Sequence, residues 1–225
     1  FFGGVCSDGS TFKASLWQKK DEYSTPECIE ETQITISSDN SMEASKIFDK
    51  KISNNKTRWI KFTPLSGLHD ICFVSLVYKN LFTNEIFDGV HSQTFKNNPA
   101  ELEKLKKISS RSLKFAPFSL NQSKNSFALL TVLGEWRREI NVRIRIFSAA
   151  DPSYETVFIE KIFPQEVKYI NLIEKISPGI QQISHDNLFV CQVESEEANL
   201  DGYLMNVKGD KTGINKLSVD HLTGG

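Results

Sequence analysis

Apolar positions recur with period two along much of this chain. In Ile140-Asn141-Val142-Arg143-Ile144-Arg145-Ile146 every second residue is aliphatic, so a strand here buries one face and presents Asn and Arg on the other. Short runs rich in β-branched or aromatic residues predict further strands over 11–17, 32–37, 58–62, 71–78, 127–133, 156–163, 168–172, 188–193 and 202–207. Turn formers separate them, as in Ala149-Ala150-Asp151-Pro152 and Lys208-Gly209-Asp210-Lys211-Thr212-Gly213. Strands at this spacing, with turns rather than helices between them, point to an all-β fold of sandwiches or barrels.

One segment carries helical chemistry instead. Asn98 is placed to cap, Pro99 suits the first turn, and Glu101 follows three residues after the cap. Leu102, Leu105 and Ile108 share a face, with acids early and lysines late. The prediction is a short connecting helix near the midpoint, dividing the chain into domains at 1–97 and 113–225, with 98–112 between them.

The midpoint prompts a test for duplication. At a constant shift of 110, Ile34 meets Ile144, Ile36 meets Ile146, Ser38 meets Ser148 and Phe48 meets Phe158. Lys51, Ile52 and Ile60 likewise meet Lys161, Ile162 and Ile170. Farther on, His69-Asp70-Ile71-Cys72-Phe73-Val74 meets His185-Asp186-Asn187-Leu188-Phe189-Val190 at a shift of 116. The expected architecture is two tandem antiparallel β-sandwich domains, jelly-roll or Ig-like, related by internal duplication. On that reading Phe73, Val77, Phe189 and Val193 point into their cores.

Composition narrows the function classes. With 27 basic and 28 acidic side chains, divided evenly between the two halves, no arm exists to displace counterions from a polyanion, so nucleic acid is not expected as a partner. The longest apolar runs, 71–78 and 127–133, fall far short of the ~20 residues that span a bilayer, so no membrane insertion is expected. The chain opens Phe1-Phe2-Gly3-Gly4 without an initiator Met, which reads as a processed or trimmed product, cytoplasmic or secreted after loss of a signal peptide. Cys6, Cys28, Cys72 and Cys191 show neither zinc nor redox spacing; Cys6 and Cys28 lie in polar surroundings and are the pair an oxidising compartment would join.

Candidate chemistry is sparse. His69-Asp70 and His185-Asp186 each precede a strand, but no second His stands at metal-ligand spacing, so strand-entry turns explain them better than an acid–base pair does. Asp220 and His221 are neighbours, and neighbours on a strand point to opposite faces, which suits a catalytic triad poorly. The acids Glu194, Glu196, Glu197 and Asp201 are dense enough to invite a calcium reading, yet they lack the alternation and the Gly of an EF-hand loop. No phosphate loop, dinucleotide fingerprint or nucleophile elbow appears, and no cofactor or metal is expected.

The concentrated cationic feature is Arg137-Arg138 with Arg143 and Arg145, beside Trp136. Arginine on an exposed strand face next to an aromatic ring is suited to an anionic or acidic partner, and equally to shielding a sheet edge. The expectation is therefore a non-enzymatic binding or assembly module, contacting protein or carbohydrate through Trp136, Arg138, Arg143 and Arg145. The alternative is a hydrolase or lyase built from His185, Asp186, His221, Glu194 and Asp201.

Overall fold

A computed structural model describes residues 2–5, 10–36, 46–48, 57–66, 72–79, 86–94, 112–119, 125–132, 137–176, 188–198, 200–210 and 213–224. Among these the chain is mostly β-strand in antiparallel sheets, with a single four-residue helical turn. No helix there is long and apolar enough to cross a membrane. The predicted helix at 99–108, with Leu102, Leu105 and Ile108, lies outside the described residues, as do His69, Trp136, His185 and Asp186. The chain divides into two units, Phe1–Leu105 and Lys106–Gly225.

In the first unit β2 (Ser10–Lys19) runs between β3 (Glu27–Ile36) and β4 (Thr57–Ser66), and β1 (Phe2–Val5), β5 (Cys72–Lys79) and β6 (Ile86–Thr94) form a second sheet in the order β1-β5-β6. Alternation along β2 sends Phe12, Ala14 and Leu16 inward, where Ile34, Ile47 and Phe48 complete a buried cluster. Each large apolar side chain so buried contributes about 1.5–3 kcal/mol. Trp17 faces the other way, directly opposite Trp59 on β4.

The second unit holds two larger sheets. Five strands run in the order β10 (Glu155–Ile162), β9 (Ile140–Ser148), β12 (Leu188–Ser195), β7 (Ser112–Ser119), β15 (Thr223–Gly224). Four run in the order β11 (Lys168–Asn171), β8 (Asn125–Val132), β13 (Leu200–Asp210), β14 (Gly213–His221). The period-two segment at 140–146 alternates as expected, with Ile140, Val142, Ile144 and Ile146 all at most 1% exposed. These residues share one buried cluster with Phe189, Cys191 and Val193 of β12 and with Ala128, Leu130, Leu200 and Leu204 of the four-stranded sheet. Phe189 lies opposite Phe118 in register, their ring centroids 5.8 Å apart. Phe189 and Val193 are thus core residues, as the even step between them requires.

The chain passes from one sheet to the other between β10 and β11. Phe163-Pro164-Gln165-Glu166 closes with the Glu166 amide donating to the Phe163 carbonyl at 3.1 Å, and Gln165 takes φ 63°. Proline second and a positive φ third are the marks of a type II turn, here with glutamine in the place glycine usually takes. The buried Glu166 carboxylate accepts the Phe163 amide at 2.8 Å and locks the corner. The short helix α1 (Leu172–Lys175) follows β11.

The expected duplication is not confirmed. Of the segments matched at a shift of 110, β3 pairs with β2, whereas β9, its counterpart, lies between β10 and β12 among the described residues. Phe48 sits outside any strand while Phe158 lies within β10. Period-two spacing of Ile and Phe is what any pair of half-buried strands shares, so the identities alone do not establish a common order. Cys28 is a free, exposed thiol 3.7 Å from the Glu30 carbonyl, and Cys6 lies outside the described residues. Cys191 is buried, and burial pushes its thiol up to about 12.

Candidate binding face of the five-stranded sheet

The face of β9 turned away from the core carries Asn141, Arg143, Arg145 and Phe147. Strand register sets their neighbours. Ile159 of β10 and Glu194 of β12 lie on either side of Arg143; Val157 and Gln192 flank Arg145; Glu155 and Val190 flank Phe147. The arginines are therefore not a bare cationic patch. Arg143 Nη1 meets Glu194 Oε2 at 3.5 Å, and Arg138 Nη2 meets Glu197 Oε2 at 3.8 Å. Arg145 Nε is bonded to Glu155 Oε2, its Nη2 donates to the Pro152 carbonyl at 3.2 Å, and its guanidinium lies 4.5 Å over the Phe147 ring.

Two features that are separate in sequence thus become one. The acidic stretch after β12 folds beside the basic stretch before and within β9, because β12 and β9 are neighbours. Glu197 Oε1 also accepts the Asn141 amide at 3.1 Å, and Ser195 Oγ accepts the amides of Glu197 and Ala198, each at 3.2 Å. Asp201 accepts the amide of the adjoining Gly202 at 2.9 Å. These carboxylates are directed at arginines and backbone amides. Among the described residues no three His, Cys, Asp or Glu side chains form a group that could hold a metal.

Of the alternative catalytic set, only Glu194, Asp201 and His221 fall on described strands. Glu194 is engaged with Arg143, and Asp201 lies at the start of β13. His221 is in the last position of β14, opposite Tyr203. His185 and Asp186 lie outside the described residues, and Trp136, expected beside the arginines, does too.

With its charges internally paired, the exposed apolar side chains distinguish this face. Ile159 is 68% exposed, Val157 41% and Leu188 39%. Sequence reasoning passed over them, although the signal is present: Val157-Phe158-Ile159 is an unbroken apolar run, which on a strand must place apolar groups on both faces. Phe158 takes the inner side, and Val157 and Ile159 are left outside. No family model, no curated protein and no solved structure matches this chain.

Proposed function

We propose that the chain is a non-enzymatic assembly module, built of tandem β-sandwich units, that contacts a protein partner through the outward face of the five-stranded sheet. The reading does not depend on the two units sharing an ancestor. One observation carries it: exposed Val157, Ile159 and Leu188 stand among arginines whose charge is already balanced by Glu155 and Glu194. A surface of aliphatic anchors with locally neutralised charges suits a polypeptide better than a free anion, because burying it strands no unpaired charge. A carbohydrate reading would draw instead on the Trp17–Trp59 pair of the first unit, since flat aromatic surfaces stack on sugars.

Photo-crosslinking tests the proposal directly. With the crosslinker at Ile159, and as control at the 85% exposed Tyr23, position 159 is expected to capture discrete polypeptides that position 23 does not. A glycan array that retains the protein, together with no polypeptide at position 159, would overturn it.

A further inference from the structure

The partner itself is indicated by the order of residues on β10. This strand ends its sheet, and among the described residues it pairs only with β9. It is eight residues long, contains neither Pro nor Gly, and keeps an unbroken register with β9 from Glu155 to Ile162. A straight edge with exposed aliphatic groups is what natural sheets usually blunt with a bulge, a proline or an isolated charge.

Its outward residues read Glu155, Val157, Ile159, Lys161. That order is complementary to its own reverse. Placed antiparallel to itself about Phe158, β10 sets Glu155 opposite Lys161 of the partner subunit and Val157 opposite Ile159 of the partner subunit, twice over by symmetry. Moving the centre to residue 157 or 159 sets a charge against an aliphatic side chain. A parallel, in-register pair stacks like charges. Only the arrangement centred on 158 satisfies both ends.

The intrachain ion pairs extend the match. Glu155 is held by Arg145, and Lys161 Nζ lies 2.8 Å from Glu139 Oε1. At each end of the paired strands the charges then alternate Arg145, Glu155, Lys161 and Glu139, the last two from the partner subunit, with no like charges adjacent. We infer that β10 is a self-association edge, and that two copies of this chain join their five-stranded sheets into one continuous sheet through antiparallel β10–β10 pairing. This rests on the proposed protein-binding reading and names a second copy as the partner. A single strand pair is a small contact, so the dimer is reversible and concentration-dependent.

Sedimentation velocity of the full chain across a concentration series tests it. Wild type is expected to move from monomer to dimer as concentration rises. Glu155→Lys and Lys161→Glu each replace two attractive pairs with two repulsive ones, and each is expected to weaken association at least about tenfold. Mixed together, the two variants are mutually complementary and are expected to form a heterodimer, while the double variant regains wild-type association. Ile159→Thr, which keeps strand propensity, should weaken the dimer without altering charge. A chain that stays monomeric throughout, or single variants that dimerise like wild type, overturns the inference. If position 159 nevertheless crosslinks a different polypeptide, the protein-binding reading stands and only the identity of the partner fails.

Discussion

Glu160 and Lys161 are neighbours on β10, yet they belong to different electrostatic worlds. Glu160 points inward, where Lys168 of β11 reaches one carboxylate oxygen at 3.0 Å and Lys175 of α1 the other at 3.1 Å. The side chains of Glu160 and Lys168 are only 11% and 8% exposed, and Lys175 also lies 5.1 Å over the Phe158 ring. Lys161 points outward to Glu139, with both side chains about half exposed. The bonds are of similar length. Water decides the difference: the outer pair is screened and replaceable, whereas Glu160 and Lys168 have left solvent and depend on each other, with Lys175 reaching the carboxylate from the more exposed side. The inner triad also ties the edge strands of two sheets together, which the outer pair cannot do.

The contrast breaks most sharply at the centre of the core. Phe189→Ala removes a fully buried ring stacked on Phe118 and is expected to cost about 3–5 kcal/mol in denaturant unfolding. An effect below about 1 kcal/mol would show that the two sheets do not share a packed interior. Glu160→Gln comes next, at about 2 kcal/mol, because it leaves Lys168 buried without its anion. Replacing the pair together, Glu160→Leu with Lys168→Met, should recover most of that loss; no recovery would mean that the charges themselves, rather than their mutual neutralisation, are needed.

Acid titration sharpens the same point. Burial opposes ionisation of Glu160, but hydrogen bonds from Lys168 and Lys175 and their positive charges outweigh it and hold the carboxyl below the usual carboxylate range. A lowered folded value means that the triad stabilises fully above the unfolded carboxyl's range and is lost as pH falls through it and below. The stability gap between wild type and Glu160→Gln should therefore shrink on acidification, and a gap constant down to low pH would contradict this account. The smallest effect belongs outside. Glu139→Gln should change stability by less than about 0.5 kcal/mol at any salt concentration.

Ten strands were legible from periodicity because each is continuous and alternates or is strongly apolar. β7 was not, since Pro117 argues against a strand. The structure admits it because β15 pairs with β7 only at Lys114 and Phe115, so Pro117 needs no donor on that side. β14 escaped for another reason: a bulge between Lys208 and Gly209 of β13 shifts its register and breaks the alternation of Ile214, Leu217 and Val219. At the candidate face, Arg143 and Arg145 could be placed outward from sequence alone. Their neutralisation by Glu194 and Glu155 could not, because the first depends on β12 lying beside β9, a pairing no local pattern encodes.

That nonlocal pairing has a kinetic consequence. In the five-stranded sheet only β9 and β10 are joined by a short turn. β12 must find both β7, where Ser112 lies opposite Ser195, and β9, while in the other sheet Asn125 lies opposite Val207. Such contacts close long loops before any burial rewards them, which places folding of this unit in the slow, millisecond-to-second range of β proteins. Until β12 arrives, β9 and β7 both present open flanks. During synthesis that interval lasts as long as the ribosome takes to extend the chain from residue 148 through 195, and β10, which pairs along the opposite edge of β9, leaves that flank open.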